Sequence, residues 1–285
     1  MRLSRLIATL LVCLALIAAG CGSSNSGTGS ASAPSTTSTT GSATDPGTIA
    51  GHELGQMPKA PDPTSPAPTL SGASPADDRT YLTAVFNDAQ GFWKREFAAA
   101  NLPLQPARLT LFVQAVESSG CGAQADVGPF YCGANHGIYL DLRFFGLLTQ
   151  RFGIGRFAQA YIVGHEFGHH IQNQIGLQKR VALADQQDPA GANARSVRYE
   201  LQADCLAGVW AHSVYQRDEL TQDDIAQALK TARVIGDDFQ RLQAGHPMER
   251  ELWTHGSSAQ REHWLTTGFV TGNPDSCDTF TETTP

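Results

Sequence analysis

Apolar positions along the chain keep a helical rhythm, lose it to short extended runs, and then regain it. Tyr81, Val85, Phe86, Ala89, Phe92, Trp93 and Phe97 recur at three- and four-residue intervals. That spacing predicts one broad apolar face on a helix. Ser74-Pro75-Ala76-Asp77 supplies a cap, a first-turn proline and an early acid, and Pro103 lies just beyond the expected end at Asn101. Residues 108–116 are rich in β-branched and aromatic side chains and predict a strand, as do 130–131 and 137–142. A short helix is expected over 144–151 and a longer one from Arg156 to about Gly176. Residues 177–192, with Asp188-Pro189 and Gly191, read as a loop. Helical spacing returns over 193–215. Two further helices should open at Thr221 and Ser257, each followed three residues later by a capping-box partner, Asp224 and Gln260. Strands before and helices after the 156–176 segment predict an α+β domain, with a small N-terminal β-sheet and a mainly helical C-terminal half.

The segments before this domain have a different character. Arg2 and Arg5 precede an apolar run from Leu6 to Ala19, which is signal-like and too short to span a bilayer comfortably. Its end, Ile17-Ala18-Ala19-Gly20-Cys21, resembles a bacterial lipoprotein signal. The resemblance implies removal of residues 1–20, lipidation of Cys21, and a membrane lipoprotein facing the extracytoplasmic side. Residues 21–73 are dominated by Ser, Thr, Gly, Pro and Ala and predict a disordered tether, with an end-to-end distance of roughly 40 Å. The folded domain is expected over 74–285. The chain has 285 residues, and its net charge of −7 argues against nucleic acid as a partner. With residues 1–20 removed and Cys21 set aside, Cys121, Cys132, Cys205 and Cys277 remain, an even set that suggests two disulfides. Of the three pairings, Cys121–Cys132 with Cys205–Cys277 is favoured, because the first closes a short hairpin-like loop.

The chemistry concentrates in Tyr161-Ile-Val-Gly-His-Glu-Phe-Gly-His-His170. On a helix, His165 and His169 stand one turn apart on the same face and can grip one metal ion. Glu166 follows the first ligand and can serve as general base, which is the H-E-x-x-H arrangement. Gly51-His52-Glu53 begins the same way, but Gln56 stands where the second His belongs. A catalytic zinc needs a third protein ligand. Gln172 and Ile175 occupy the positions where a metzincin has its Gly and third His, so that pattern fails. Glu200, on the next predicted helix, is the alternative, with Asp204 one turn on to hold a ligating imidazole. The plainer reading of both acids is a solvated surface pair.

His-Glu-Phe-Gly-His-His, then Glu200-Leu-Gln-Ala-Asp-Cys-Leu-Ala-Gly-Val-Trp210, then His255-Gly-Ser-Ser-Ala-Gln-Arg261 with Trp264, occur in order. Together with Gly128-Pro-Phe-Tyr-Cys132 and Ile138-Tyr-Leu-Asp-Leu142, they resemble the bacterial putative neutral zinc metallopeptidases over residues 77–280. The resemblance implies a zincin-like, gluzincin-type fold, with one Zn2+ per chain on His165, His169 and Glu200 and with Glu166 as base. The expected activity is zinc-dependent endopeptidase cleavage of a peptide or protein substrate. Two alternatives are a catalytically silent zinc-stabilised scaffold lipoprotein and a zinc hydrolase acting on a cell-wall crosslink. His255 is the candidate oxyanion donor, with Tyr199, His212, His246 and Arg261 as rivals.

Overall fold

The computed structural model of the protein describes residues 54–59, 78–125, 128–153 and 155–281. The signal segment, Cys21, the cap at 74–77 and most of the tether lie outside the described residues. The first helix, α1, spans Asp78–Ala99 and buries Tyr81, Leu82, Val85, Phe86, Ala89, Phe92, Trp93 and Phe97, the face that the spacing predicts. Five strands follow: β1 Arg108–Phe112, β2 Ala115–Ser118, β3 Gly122–Ala125, β4 Phe130–Cys132 and β5 Gly137–Asp141. The main sheet has the order β1-β5-β4, with β5 parallel to β1 and antiparallel to β4. All five residues of β5 are buried, as a central strand covered on both faces requires.

The expected continuous strand over 108–116 is broken. Gln114 takes a left-handed backbone conformation at φ 72°, and the chain then turns into a separate β2–β3 hairpin. A non-glycine residue there cannot continue a pleated ladder, so residues 115–118 leave the main sheet. The Cys121–Cys132 disulfide ties this hairpin back to β4.

Eight helices are present among the described residues. After α1 come α2 Leu142–Phe152, α3 Arg156–Gln174, α4 Leu177–Gln187, α5 Ala192–Gln216, α6 Gln222–Val234, α7 Asp237–Ala244 and α8 Ser258–Thr271. The capping boxes of α6 (Thr221 and Asp224) and α8 (Ser257 and Gln260) form as expected. Most of the expected loop over 177–192 is instead helix. Leu177, Val181 and Ala184 recur on one buried face, and Gly176, at φ 75°, gives the reversal that lets α4 start directly after α3. The breakers at Asp188-Pro189 mark only its end. Helix α7 was also not foreseen; it is short and buries none of its residues fully.

Three helices, α3, α5 and α8, form the platform for the site. They approach closely because small residues meet at the crossings. A Cβ at Gly168 of α3 would lie 2.7 Å from Ala203 Cα of α5. A Cβ at Gly268 of α8 would run into the Cys205 carbonyl oxygen of α5. The disulfide Cys205–Cys277 fastens the segment after α8 to α5 as well. Part of the expected tether is also packed. Residues Leu54–Gln56 form a 3-10 turn, Leu54 and Met57 are buried in the core, and Gly55 lies against Asp275. Its two buried apolar side chains accompany packing of this stretch against the C-terminal segment.

One core group opposes folding at alkaline pH. Glu96 on α1 is 1% exposed, and its Oε2 has no hydrogen-bond partner. Burial raises its carboxyl pKa to about 7. Between about pH 4.5 and 7 the folded chain therefore holds this proton more tightly than the unfolded chain, and stability falls as pH rises through that window. Glu96→Gln should raise unfolding stability at pH 8 by about 1–3 kcal/mol, with little change at pH 4. Parallel denaturant titrations at the two pH values measure this.

Candidate metal centre

Helix α3 owes its burial to its sequence: every residue from Phe157 to Gln172 is buried. Polar side chains on such a helix need partners: His165 and Gln172 find theirs on α5, while His170 meets the Tyr131 hydroxyl and the Gln105 carbonyl. His165, His169 and Glu200 each present a ligand atom, and the three atoms lie within 4.8 Å of one another. Nε2 of His165 is 3.1 Å from Glu200 Oε2, and Nε2 of His169 is 3.5 Å from Glu200 Oε1. Two imidazole nitrogens and one carboxylate, brought together in a buried pocket, are a borderline-soft donor set of the kind that suits Zn2+ and leaves a coordination position open. The residues therefore fit the metal that the sequence implies.

The next layer orients the candidate ligands. Asp204, fully buried, receives the His165 Nδ1–H at 2.8 Å. It also accepts from the Tyr161 hydroxyl at 2.5 Å and from Arg261, through Nε at 2.8 Å and an NH2 group at 2.9 Å. Both oxygens of this carboxylate are engaged, and Arg261 holds its pKa below the ordinary value despite burial. Burial pulls the His165 imidazole pKa down, but Asp204 and Glu200 outweigh it and lift the value to about 10. Burial also raises Glu200, and His169 and His255 more than reverse that, leaving its carboxyl well below the ordinary range. Within the cluster, these lowered carboxylates are balanced by Arg261 and by the histidines that face them.

Glu166 is buried beside the donor trio, and burial raises its pKa. Among the described residues it makes no hydrogen bond or ion pair, so it is the uncommitted carboxylate of the site.

The rival residues separate clearly. Arg261 lies behind His165, bound to Asp204. His212 donates its Nδ1–H to the Phe269 carbonyl, 2.7 Å away, on a part of α5 remote from Glu200. His246 is exposed after α7. Tyr199 stacks on His169, with ring centroids 5.1 Å apart and planes 14° apart. His255 is near enough to lower the Glu200 pKa. Its Nδ1 is 2.9 Å from Thr254 Oγ1 and 3.5 Å from Asp237 Oδ1. Asp237 fixes that loop by accepting the backbone N–H groups of Thr254, His255 and Gly256.

Tyr161, Gln172, Gln202 and Asp237 are site residues that sequence reasoning missed. Tyr161 stands one helical turn before His165, so the same i, i+4 rule that linked the histidines could have found it. Asp237 carries no such signal, because its role depends on a loop near residue 255.

Removing Glu200 tests the ligand set. Glu200→Ala should keep its helical circular dichroism and lose most of its zinc. Its affinity should fall by more than the ~10–100-fold typical of losing an outer hydrogen-bond partner. Normal zinc content by elemental analysis would take Glu200 out of the set.

Comparison with known proteins agrees with this geometry. The model of the family described as "putative neutral zinc metallopeptidase" matches residues 23–280. The chain is 36% identical over 223 residues to "Uncharacterized protein YpfJ" of Escherichia coli K12, covering 76% of this chain and 77% of that one. It is 41% identical over 212 residues to "Uncharacterized protein Rv2575" of Mycobacterium tuberculosis H37Rv, covering 70% and 69% respectively. No solved structure matches it. Family model, relatives and donor set lead to one assignment: this chain belongs to the putative neutral zinc metallopeptidase family.

Proposed function

We propose that this protein is a zinc endopeptidase, tethered through a lipid at Cys21 to the extracytoplasmic side of a bacterial membrane and using one Zn2+ per chain. The observation that carries the catalytic reading is Glu166. It is a buried carboxylate with no hydrogen-bond or ion-pair partner among the described residues, next to His165 of the donor cluster. A purely structural metal site has no need of it, because burying an unpaired acid costs stability unless the group has other work. The anchoring reading rests on the sequence of residues 1–21 alone.

When bound by His165, His169 and Glu200, zinc supplies Lewis acidity, bringing the pKa of water towards neutrality and polarising a scissile carbonyl. Glu166 takes the proton of the attacking water and returns it to the departing amine. Its raised pKa suits both halves of that transfer. Asp204 keeps His165 in the Nδ1–H form with Nε2 free for the metal. His255, set by the Asp237-organised loop, donates to the carbonyl oxygen as charge develops there.

The experiment uses the folded protein loaded with zinc and incubated with a diverse peptide mixture, beside a chelator-stripped sample and Glu166→Gln, with products read by mass spectrometry. Cleavages that depend on both zinc and Glu166 are the expected result. Absence of any cleavage with zinc bound would argue against a general endopeptidase.

A further inference from the structure

The two histidines of the donor cluster are held by chemically different partners. His165 has a carboxylate. His169 has Gln172, whose Oε1 lies 2.9 Å from Nδ1. An amide presents either a donor or an acceptor, so by itself Gln172 leaves the tautomer of His169 open. Its surroundings resolve this. The Gln172 Nε2 donates to the Tyr199 carbonyl at 2.6 Å and to Gln202 Oε1 at 3.1 Å. The Gln202 Nε2 in turn donates to the Cys277 carbonyl at 3.0 Å. Gln172, Gln202 and Cys277 all have zero exposure, so no water substitutes for any of these bonds.

Backbone carbonyls only accept, so the chain has a fixed direction. Cys277 O requires the Gln202 nitrogen, which turns the Gln202 oxygen towards Gln172. Gln202 Oε1 and Tyr199 O both require the Gln172 nitrogen, which turns its oxygen towards His169. His169 must then carry a proton on Nδ1, which leaves Nε2, 3.5 Å from Glu200 Oε1, as the nitrogen available to a metal. The far end is also secured. Cys277 is bonded to Cys205. Two residues on, the Thr279 hydroxyl donates to the Arg198 carbonyl at 2.7 Å, and Arg198 donates back to the Thr279 carbonyl.

We infer that Gln172 and Gln202 are positioning residues of the metal centre, and that the disulfide-pinned C-terminal segment, through the Cys277 carbonyl, sets the tautomer of His169. This rests on the reading of His165, His169 and Glu200 as metal ligands. It gives the Cys205–Cys277 bond a local task besides constraining the chain. The bond fixes a carbonyl that the second histidine reads through two amides.

The test measures zinc affinity by competition with a chromophoric chelator, together with long-range 1H–15N spectra of the histidine rings in the zinc-loaded protein. The unaltered protein should show a protected His169 Nδ1–H. Gln172→Leu should lose that signature and bind zinc ~10–100-fold more weakly. Gln202→Leu, which touches neither the metal nor His169, should weaken zinc in the same direction, by ~3–10-fold, and expose the His169 proton to exchange. Should Gln172→Leu fail to fold, Gln202→Leu decides. Zinc affinity within twofold and an unchanged His169 spectrum in folded Gln202→Leu would overturn the link to the C-terminal segment. The same result in Gln172→Leu would overturn the whole inference. Failure of the unaltered protein to bind zinc would instead remove the metal-centre reading on which it rests.

Discussion

Glu166→Gln is expected to retain its zinc and lose ~10²–10⁴-fold in peptide hydrolysis, the usual contribution of a positioned general base. The amide has the carboxylate's shape but cannot accept a proton at neutral pH, so the change removes one function with little alteration of packing. Glu166 is not among the three residues that supply clustered donors, which are His165, His169 and Glu200. Zinc content should therefore stay at the unaltered level. The loss corresponds to about 2.7–5.5 kcal/mol of transition-state stabilisation. It should fall on kcat, with KM nearly unchanged, because the proton transfer exists only in the transition state. Rates on a peptide selected from the cleaved mixture, together with zinc analysis, give both quantities. A variant that hydrolyses this peptide at the unaltered rate would remove Glu166 from the base role.

Arg261→Met is expected to destabilise the metal-free fold by about 3–5 kcal/mol, the cost of leaving one member of a buried ion pair alone. Arg261 is 1% exposed and Asp204 is not exposed at all. The guanidinium meets both carboxylate oxygens, at 2.8 and 2.9 Å. Met fills similar volume, so the loss is mainly that of charge and hydrogen bonds. The Asp204→Leu/Arg261→Met double variant should recover part of that stability, because it removes both buried charges together, although the Tyr161 hydroxyl and His165 Nδ1–H lose their acceptor. It should still bind zinc poorly, since His165 loses its acceptor. Measuring unfolding without zinc keeps ligand binding from masking the change. A single-variant loss below about 1 kcal/mol would show that His165 and Tyr161 alone satisfy Asp204.

Much of the fold could be read from the sequence, because its signals are local. The α1 face, the α3 helix, and the capping boxes at Thr221 and Ser257 each follow from spacing within a turn or two. The elements that escaped depend on contacts or backbone conformations that spacing does not encode. Helix α4 was hidden by the breakers at Asp188-Pro189, although its own buried stripe runs through Leu177, Val181 and Ala184. The break at Gln114 rests on a left-handed backbone at an ordinary residue. Leu54 and Met57 sit in a tract whose composition argues for disorder, and their place in the core comes with packing of the 54–56 turn against residues 274–277.

By itself the sequence put His165 and His169 on one helical face with Glu166 beside them, offered Glu200 as a third carboxylate, and favoured the cysteine pairing that the structure holds. It could do so because helical periodicity turns spacing directly into a shared face. Only the tertiary structure decided which polar groups meet across helices. It placed Arg261 behind His165 instead of at a substrate, linked Gln172 to Gln202 and the Cys277 carbonyl, and let Asp237 organise the loop of His255. Those choices arise where Gly168 meets Ala203 and Gly268 meets Cys205. The missing side chains at those crossings set how near α3, α5 and α8 come, and hydrogen bonds form only between groups that such packing brings within about 3 Å.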